Sequence, residues 1–144
     1  MRIPPRVNLV TLGVHDIARA RAFYEALGWE AAAGSSSAEV AFFRTGGAIV
    51  ALFGHDALAA DAHLPASPPA PFRGVSLAIN LPTEADVTAA LAAAEEAGAT
   101  ILKPAERVHW GGFSGYFADP DGHVWEVAHN PYFPLDESGA VRLP

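Results

Sequence analysis

The sequence predicts an α+β protein: two tandem β-α-β-β-β modules forming a curved mixed sheet around a shared cavity. Strand-period and helix-period segments recur in the same order in both halves. Residues 74–81 (GVSLAINL) also repeat residues 7–14 (VNLVTLGV), with Leu77, Ile79 and Leu81 in the places of Val10, Leu12 and Val14, at an offset of 77 − 10 = 67 residues. A proline-bearing stretch separates the halves. A module with one helix per sheet covers one sheet face only, so the other face is buried by the second module or lines a cleft.

Residues 7–14 alternate, which sets Val10, Leu12 and Val14 on one face and Leu9, Thr11 and Gly13 on the other. Asp16 caps a helix whose apolar stripe is Ile17, Ala20, Phe23, Tyr24 and Leu27, and Gly28 stops it. Residues 30–33 supply a short strand before the turn Gly34-Ser35-Ser36-Ser37. Strands at 38–44 and 48–53 follow, joined by the hairpin-like Thr45-Gly46-Gly47.

In the second half Thr83 caps a helix, with Asp86 three residues on as its capping-box partner. Val87, Ala90, Leu91 and Ala94 form the stripe of that helix, and Gly98 ends it. Strands near 100–102, 112–118 and 123–129 complete the module. The last two are joined by Asp119-Pro120-Asp121-Gly122, in which Asp bonds forward to the backbone, Pro fixes φ and Gly accepts positive φ. One domain over 1–144 therefore holds a first module at 6–58, a Pro-rich linker at 59–72, a second module at 73–130 and a tail at 131–144. Pro65, Pro68, Pro69 and Pro71 stiffen the linker. The segment Asn130-Pro131-Tyr132-Phe133-Pro134-Leu135 is too apolar for a free end and is expected to pack on the domain or on a second subunit.

Composition narrows the function classes. In 144 residues, 51 % hydrophobic and 17 % charged side chains suffice for a core of ordinary size. Nine Lys+Arg against 16 Asp+Glu leave a net charge of −7, which opposes sequence-independent nucleic-acid binding. Cysteine is absent, which excludes disulfides, thiolate zinc sites and cysteine nucleophiles. The first residues carry no apolar signal region, and no run approaches the roughly 20 apolar residues of a membrane span. A cytoplasmic protein without a membrane partner is expected. There is no phosphate-binding glycine loop and no serine nucleophile elbow.

Two segments carry a family likeness. Residues 7–29 (VNLVTLGVHDIARARAFYEALGW) and 115–126 (GYFADPDGHVWE) resemble the opening and the closing hairpin of a module of the vicinal oxygen chelate superfamily, which includes glyoxalase I, extradiol dioxygenases and bleomycin-resistance proteins. The resemblance covers roughly residues 6–130. It implies the paired-module fold, a small-molecule ligand or substrate and a homodimer.

Metal-dependent members place His or Glu ligands on four strands, with coordination positions left open for substrate oxygens. By resemblance, these four positions fall on Leu9, Ser76, Ala51 and Glu126. Only Glu126 matches. Leu9 and Ala51 cannot bind a metal through their side chains, and Ser76 is a poor neutral ligand. The departure argues against standard glyoxalase or dioxygenase chemistry, and no cofactor is expected. If a divalent metal binds, Glu126 and His109 are the residues to hold it. Among the other histidines, His15 and His55 end strands, His63 lies in the linker and His123 follows a turn. His129 alternates with Glu126 and should miss the cavity.

Glu126 points into the cavity if Trp125 and Val127 pack on the helix side. A carboxylate in an apolar cleft has a raised pKa and serves as a general base or holds a cationic group. The bland alternative is a carboxylate satisfied by a neighbouring Tyr, Ser or backbone amide. The segment Trp110-Gly111-Gly112-Phe113-Ser114-Gly115-Tyr116-Phe117 is dense in aromatics and glycine, a combination that suits planar or cationic ligands. In the usual hairpin register Tyr116 shares the cavity face with Glu126, while Phe117 is core. The candidate ligand-binding residues are Trp110, Tyr116, Glu126, His109, Ser76 and Leu9.

The leading function is a metal-free binder of a small organic molecule in an aromatic-lined cavity, resembling the bleomycin-resistance branch. The alternative is a lyase, isomerase or dioxygenase-type enzyme using Glu126 as base or as ligand of a non-standard metal site. A partner-binding module with a vestigial pocket is a third reading, which no residue specifically supports.

Overall fold

The computed structural model describes residues Met1 to Pro144 and divides them into two units, Met1–Ala66 and Ser67–Pro144. In the first unit, β1 (Leu9–Val14) buries Leu12 and Val14, as its alternation requires. The Asp16 carboxylate accepts from the Arg19 backbone N–H at 3.0 Å and starts α1 (Ile17–Ala26). That helix buries Ala20, Phe23 and Tyr24 against β2 (Val40–Phe43) and β3 (Ile49–Gly54). The sheet order is β1-β3-β2, with β1 and β3 parallel and β2 antiparallel to β3. Aromatic rings fill this core: Tyr24 lies 5.2 Å from Trp29 and 5.8 Å from Phe43, between centroids.

Two elements of this unit differ from expectation. The short strand expected at 30–33 reduces to a single bridge, Ala31 to Phe43. A helix absent from the sequence reading, α2 (His55–Asp61), follows β3 and runs into the segment read as linker. It has no side-chain N-cap and buries no residue, so neither of the signals by which a helix is recognised was there to read.

In the second unit, β4 (Leu77–Asn80) leads into α3 (Glu84–Ala97). Thr83 Oγ1 accepts from the Asp86 N–H at 3.1 Å and donates to Asp86 Oδ2 at 2.6 Å, the reciprocal cap that the spacing predicts. Gly98 closes the helix in the left-handed region at φ 112°. Three strands follow, β5 (Thr100–Arg107), β6 (Phe113–Ala118) and β7 (Val124–His129), in the sheet order β4-β7-β6-β5. Only β4 and β7 are parallel.

The strand expected near 100–102 extends to Arg107, past Pro104. Proline is tolerated because β5 is an edge strand, and its pairing with β6 shifts register twice across that stretch. α3 packs on β5, β6 and β7, and Phe117 and Trp125 stack in the core at 6.3 Å and 10°. The turn between β6 and β7 is held from within and from outside. Asp119 Oδ1 accepts from the N–H groups of Asp121 and His123, and Arg73 donates to the Asp121 carbonyl and to His123 Nδ1.

The two units share an internal register. Thr11 pairs with Ala51 in the first and Ala78 with Glu126 in the second, so the 67-residue offset carries Thr11 onto Ala78, and the strand paired with each presents Ala51 in one unit and Glu126 in the other. The α+β class with tandem, helix-backed mixed sheets is the observed one. No helix is long and apolar enough to cross a membrane.

Candidate functional site

The site is built by parity along two strands. A Cβ on Gly115 would lie 2.5 Å from Leu91 Cδ1, so Gly115 faces α3, and Phe117 shares its side. Tyr116 therefore stands on the sheet face away from the helix. In β7, Trp125 and Val127 are buried and Glu126 alternates with them, half-buried. The ladder sets Tyr116 directly opposite Glu126 and Phe117 opposite Trp125.

Across that face runs a lateral row of four residues: Lys103 pairs with Tyr116, Tyr116 with Glu126, and Glu126 with Ala78. The Tyr116 hydroxyl donates to Glu126 Oε2 at 2.6 Å, a charge-assisted bond. This bond, aided by desolvation and by the carboxylate charge, pushes the Tyr116 pKa up to about 12. Lys103 Nζ lies 5.9 Å from the centre of the Tyr116 ring and 3.4 Å from Glu106 Oε1. The row thus offers a carboxylate, a protonated phenol and an ammonium group on one surface.

The other sequence-selected residues are not members of this row. Leu9 is in β1 and 48 % exposed, whereas Ala51 of β3 is buried. Ser76 is exposed just before β4 begins. His109 and Trp110 occupy the turn between β5 and β6, both exposed. The Trp110 ring folds back over Gly112, so close that a Cβ there would fall 1.8 Å from it. His55 opens α2, with its ring 5.1 Å from that of His15.

Lys103 is the member of the row that sequence reading missed. It lies one residue past the strand expected near 100–102, and the irregular register of β5 pairs it with Tyr116. The signal available was its place in a longer edge strand interrupted by proline.

A metal of the kind the resemblance implies needs several His or carboxylate donors converging on one point. The residues flanking Glu126 in the ladder are Ala78 and Tyr116, and no group of three or more His, Asp or Glu is placed to hold an ion. The residues present do not fit that metal.

A concavity lies at the carboxyl ends of β4 and β7, where an open cavity of about 250 Å³ is lined by Asn80, His129, Asn130 and the start of the tail. His129, expected to miss the cavity, lines this one.

Comparison with known proteins places these features in context. Residues 6–127 match the Glyoxalase/Bleomycin resistance protein/Dioxygenase superfamily. A glyoxalase-related enzyme from Fulvimarina pelagi is 32 % identical, with 97 % of this chain and 99 % of that one covered at a TM-score of 0.88. A lactoylglutathione lyase from Agrobacterium tumefaciens is 24 % identical, over 89 % of this chain and 96 % of that one at a TM-score of 0.66, and shows likeness of fold. So does a glyoxalase/bleomycin resistance protein/dioxygenase family enzyme from Burkholderia phytofirmans, at 20 % identity, 86 % and 98 % coverage and a TM-score of 0.73. Comparison with the curated proteins found no match.

Proposed function

The chain belongs to the glyoxalase/bleomycin resistance protein/dioxygenase superfamily, and from that premise we propose that it binds a small organic molecule, without the family metal, on the face carrying Tyr116 and Glu126. The observation that carries this reading is the Tyr116–Glu126 hydrogen bond. It occupies Oε2 and leaves Oε1 of a half-buried carboxylate for a ligand donor or cation. The Tyr116 ring supplies a flat contact beside it, and Lys103 adds a positive edge that favours an acceptor on the ligand.

A second reading has Glu126 as a general base in a lyase- or isomerase-type proton transfer. The same unoccupied oxygen supports it, because a base needs a free lone pair within reach of the substrate proton. Tyr116, which keeps its proton to about pH 12, would then serve as a hydrogen-bond donor and not as a second base.

The test begins with a thermal-shift screen of small aromatic amines, followed by calorimetry of any hit on the parent protein and on Glu126→Gln. Affinity weakened about tenfold or more in the variant supports binding through Glu126. Retained affinity with abolished turnover of the hit overturns the binding-only reading in favour of the enzyme. Metal content of protein purified without chelator or polyhistidine tag tests the other clause: near-stoichiometric nickel, zinc, iron or manganese would overturn it.

A further inference from the structure

The tail after β7 forms a self-paired flap. Leu135 bridges to Val141, and the Arg142 N–H donates to the Pro134 carbonyl at 2.8 Å. The Asp136 carboxylate collects the N–H groups of Ser138 and Ala140, the Ser138 hydroxyl and the Arg142 guanidinium. The near end is fixed too: Asn130 Oδ1 accepts from the Tyr132 N–H at 2.9 Å, and the Tyr132 ring rests about 3.0 Å from where a Gly111 Cβ would stand. The first residues of this tail, Pro131 and Phe133 to Leu135, form one side of the cavity of about 250 Å³, and the carboxyl ends of β4 and β7 form the other. At about 30 Å³ per water the space equals roughly eight waters, room for one small ring system.

The lining selects a chemistry. His129 Nδ1 lies 3.2 Å from the Leu81 carbonyl, which can only accept, so Nδ1 donates there and leaves Nε2 as the ring's other polar atom. Asn130 has used its oxygen on Tyr132 and retains its NH₂ donors, while Asn80 offers both a donor and an acceptor. No Asp, Glu, Lys or Arg lines the cavity, so an ionised ligand would be desolvated without a counter-charge. Pro82, Pro131 and Phe133 give flat, stiff walls that accept a planar ring with little loss of freedom.

We propose that this cavity is a binding site for a small uncharged planar heterocycle with an amide-type edge, that is, adjacent N–H and C=O groups. Its lining shares no residue with the Glu126 row, and its test reads different residues. Uracil is titrated into isotope-labelled protein, followed by the backbone amide signals of Asn80, His129, Asn130 and Phe133, with benzoate as a flat, charged control. The expected result is saturable shifts of these signals with uracil, at a Kd of about 1 mM or tighter, and none with benzoate. Asn80→Leu and His129→Phe, each retaining the dispersed spectrum of the parent, should each weaken uracil binding about tenfold. No saturable shift at these amides in the parent protein overturns the proposal, whatever the variants do. Equal response to benzoate, or undiminished affinity in both folded variants, overturns it as well.

Discussion

Tyr116 and Glu126 face each other across the antiparallel pair β6-β7, and the phenol donates to the carboxylate at 2.6 Å. Two polar side chains on adjacent strands are thereby made into one hydrogen-bonded unit.

The first prediction concerns pH. The folded chain holds the Tyr116 proton to about pH 12, against 10.0 for an unperturbed tyrosine. A raised folded-state pKa makes a contribution to stability that is complete below pH 10 and lost as pH rises toward about 12. The Tyr116 Cζ resonance should report this high midpoint in the parent, and Glu126→Gln should return it toward 10. A midpoint that does not move in the variant would assign the shift to something other than the carboxylate.

At the tail the sign is reversed. Asp136 is lowered from 3.8 to about 2, first by the hydrogen bond from the Ser138 hydroxyl and then by the Ala140 N–H. Its stabilising effect is present above pH 3.8 and disappears as pH falls through about 2. Amide exchange at Ala140 and Arg142 should accelerate over that interval, and Asp136→Ala should accelerate it at neutral pH. Asp136→Asn, which keeps one acceptor oxygen, should have a smaller effect.

Gly115 and Gly112 make contrasting predictions. A Cβ at Gly115 meets the Leu91 side chain at 2.5 Å and the Lys103 carbonyl at 2.8 Å, and the backbone contact cannot yield. Gly115→Ala should cost about 1–3 kcal/mol or more in urea denaturation. At Gly112 all the closest atoms belong to the Trp110 ring, which is 38 % exposed and can swing away. Gly112→Ala should leave stability nearly unchanged and shift Trp110 fluorescence to longer wavelength.

Thr83 both accepts from and donates to Asp86 at the start of α3. Thr83→Ala should therefore cost about 1 kcal/mol of unfolding free energy. Thr83→Ser, which retains the hydroxyl, should recover most of it.

By itself the sequence determined whatever rests on local periodicity and capping. The buried faces of β1, α1 and α3, the caps at Asp16 and Thr83, the stop at Gly98 and the Glu126 parity all follow from residues within one turn or one pleat of each other, and the 67-residue repeat follows from the recurrence of those local patterns. The tertiary structure decided three other features. Helix α2 formed without a cap or an apolar stripe, held by contact with β1 and β3. Lys103 came beside Tyr116 through register shifts around Pro104, where the backbone of β5 approaches Gly115 too closely for a Cβ. The tail lined an open cavity at the ends of β4 and β7, in a conformation set by bonds between residues that share no repeating pattern. Local signals are written into neighbouring side chains, whereas strand register and the docking of an aperiodic segment are settled only when distant surfaces compete for burial.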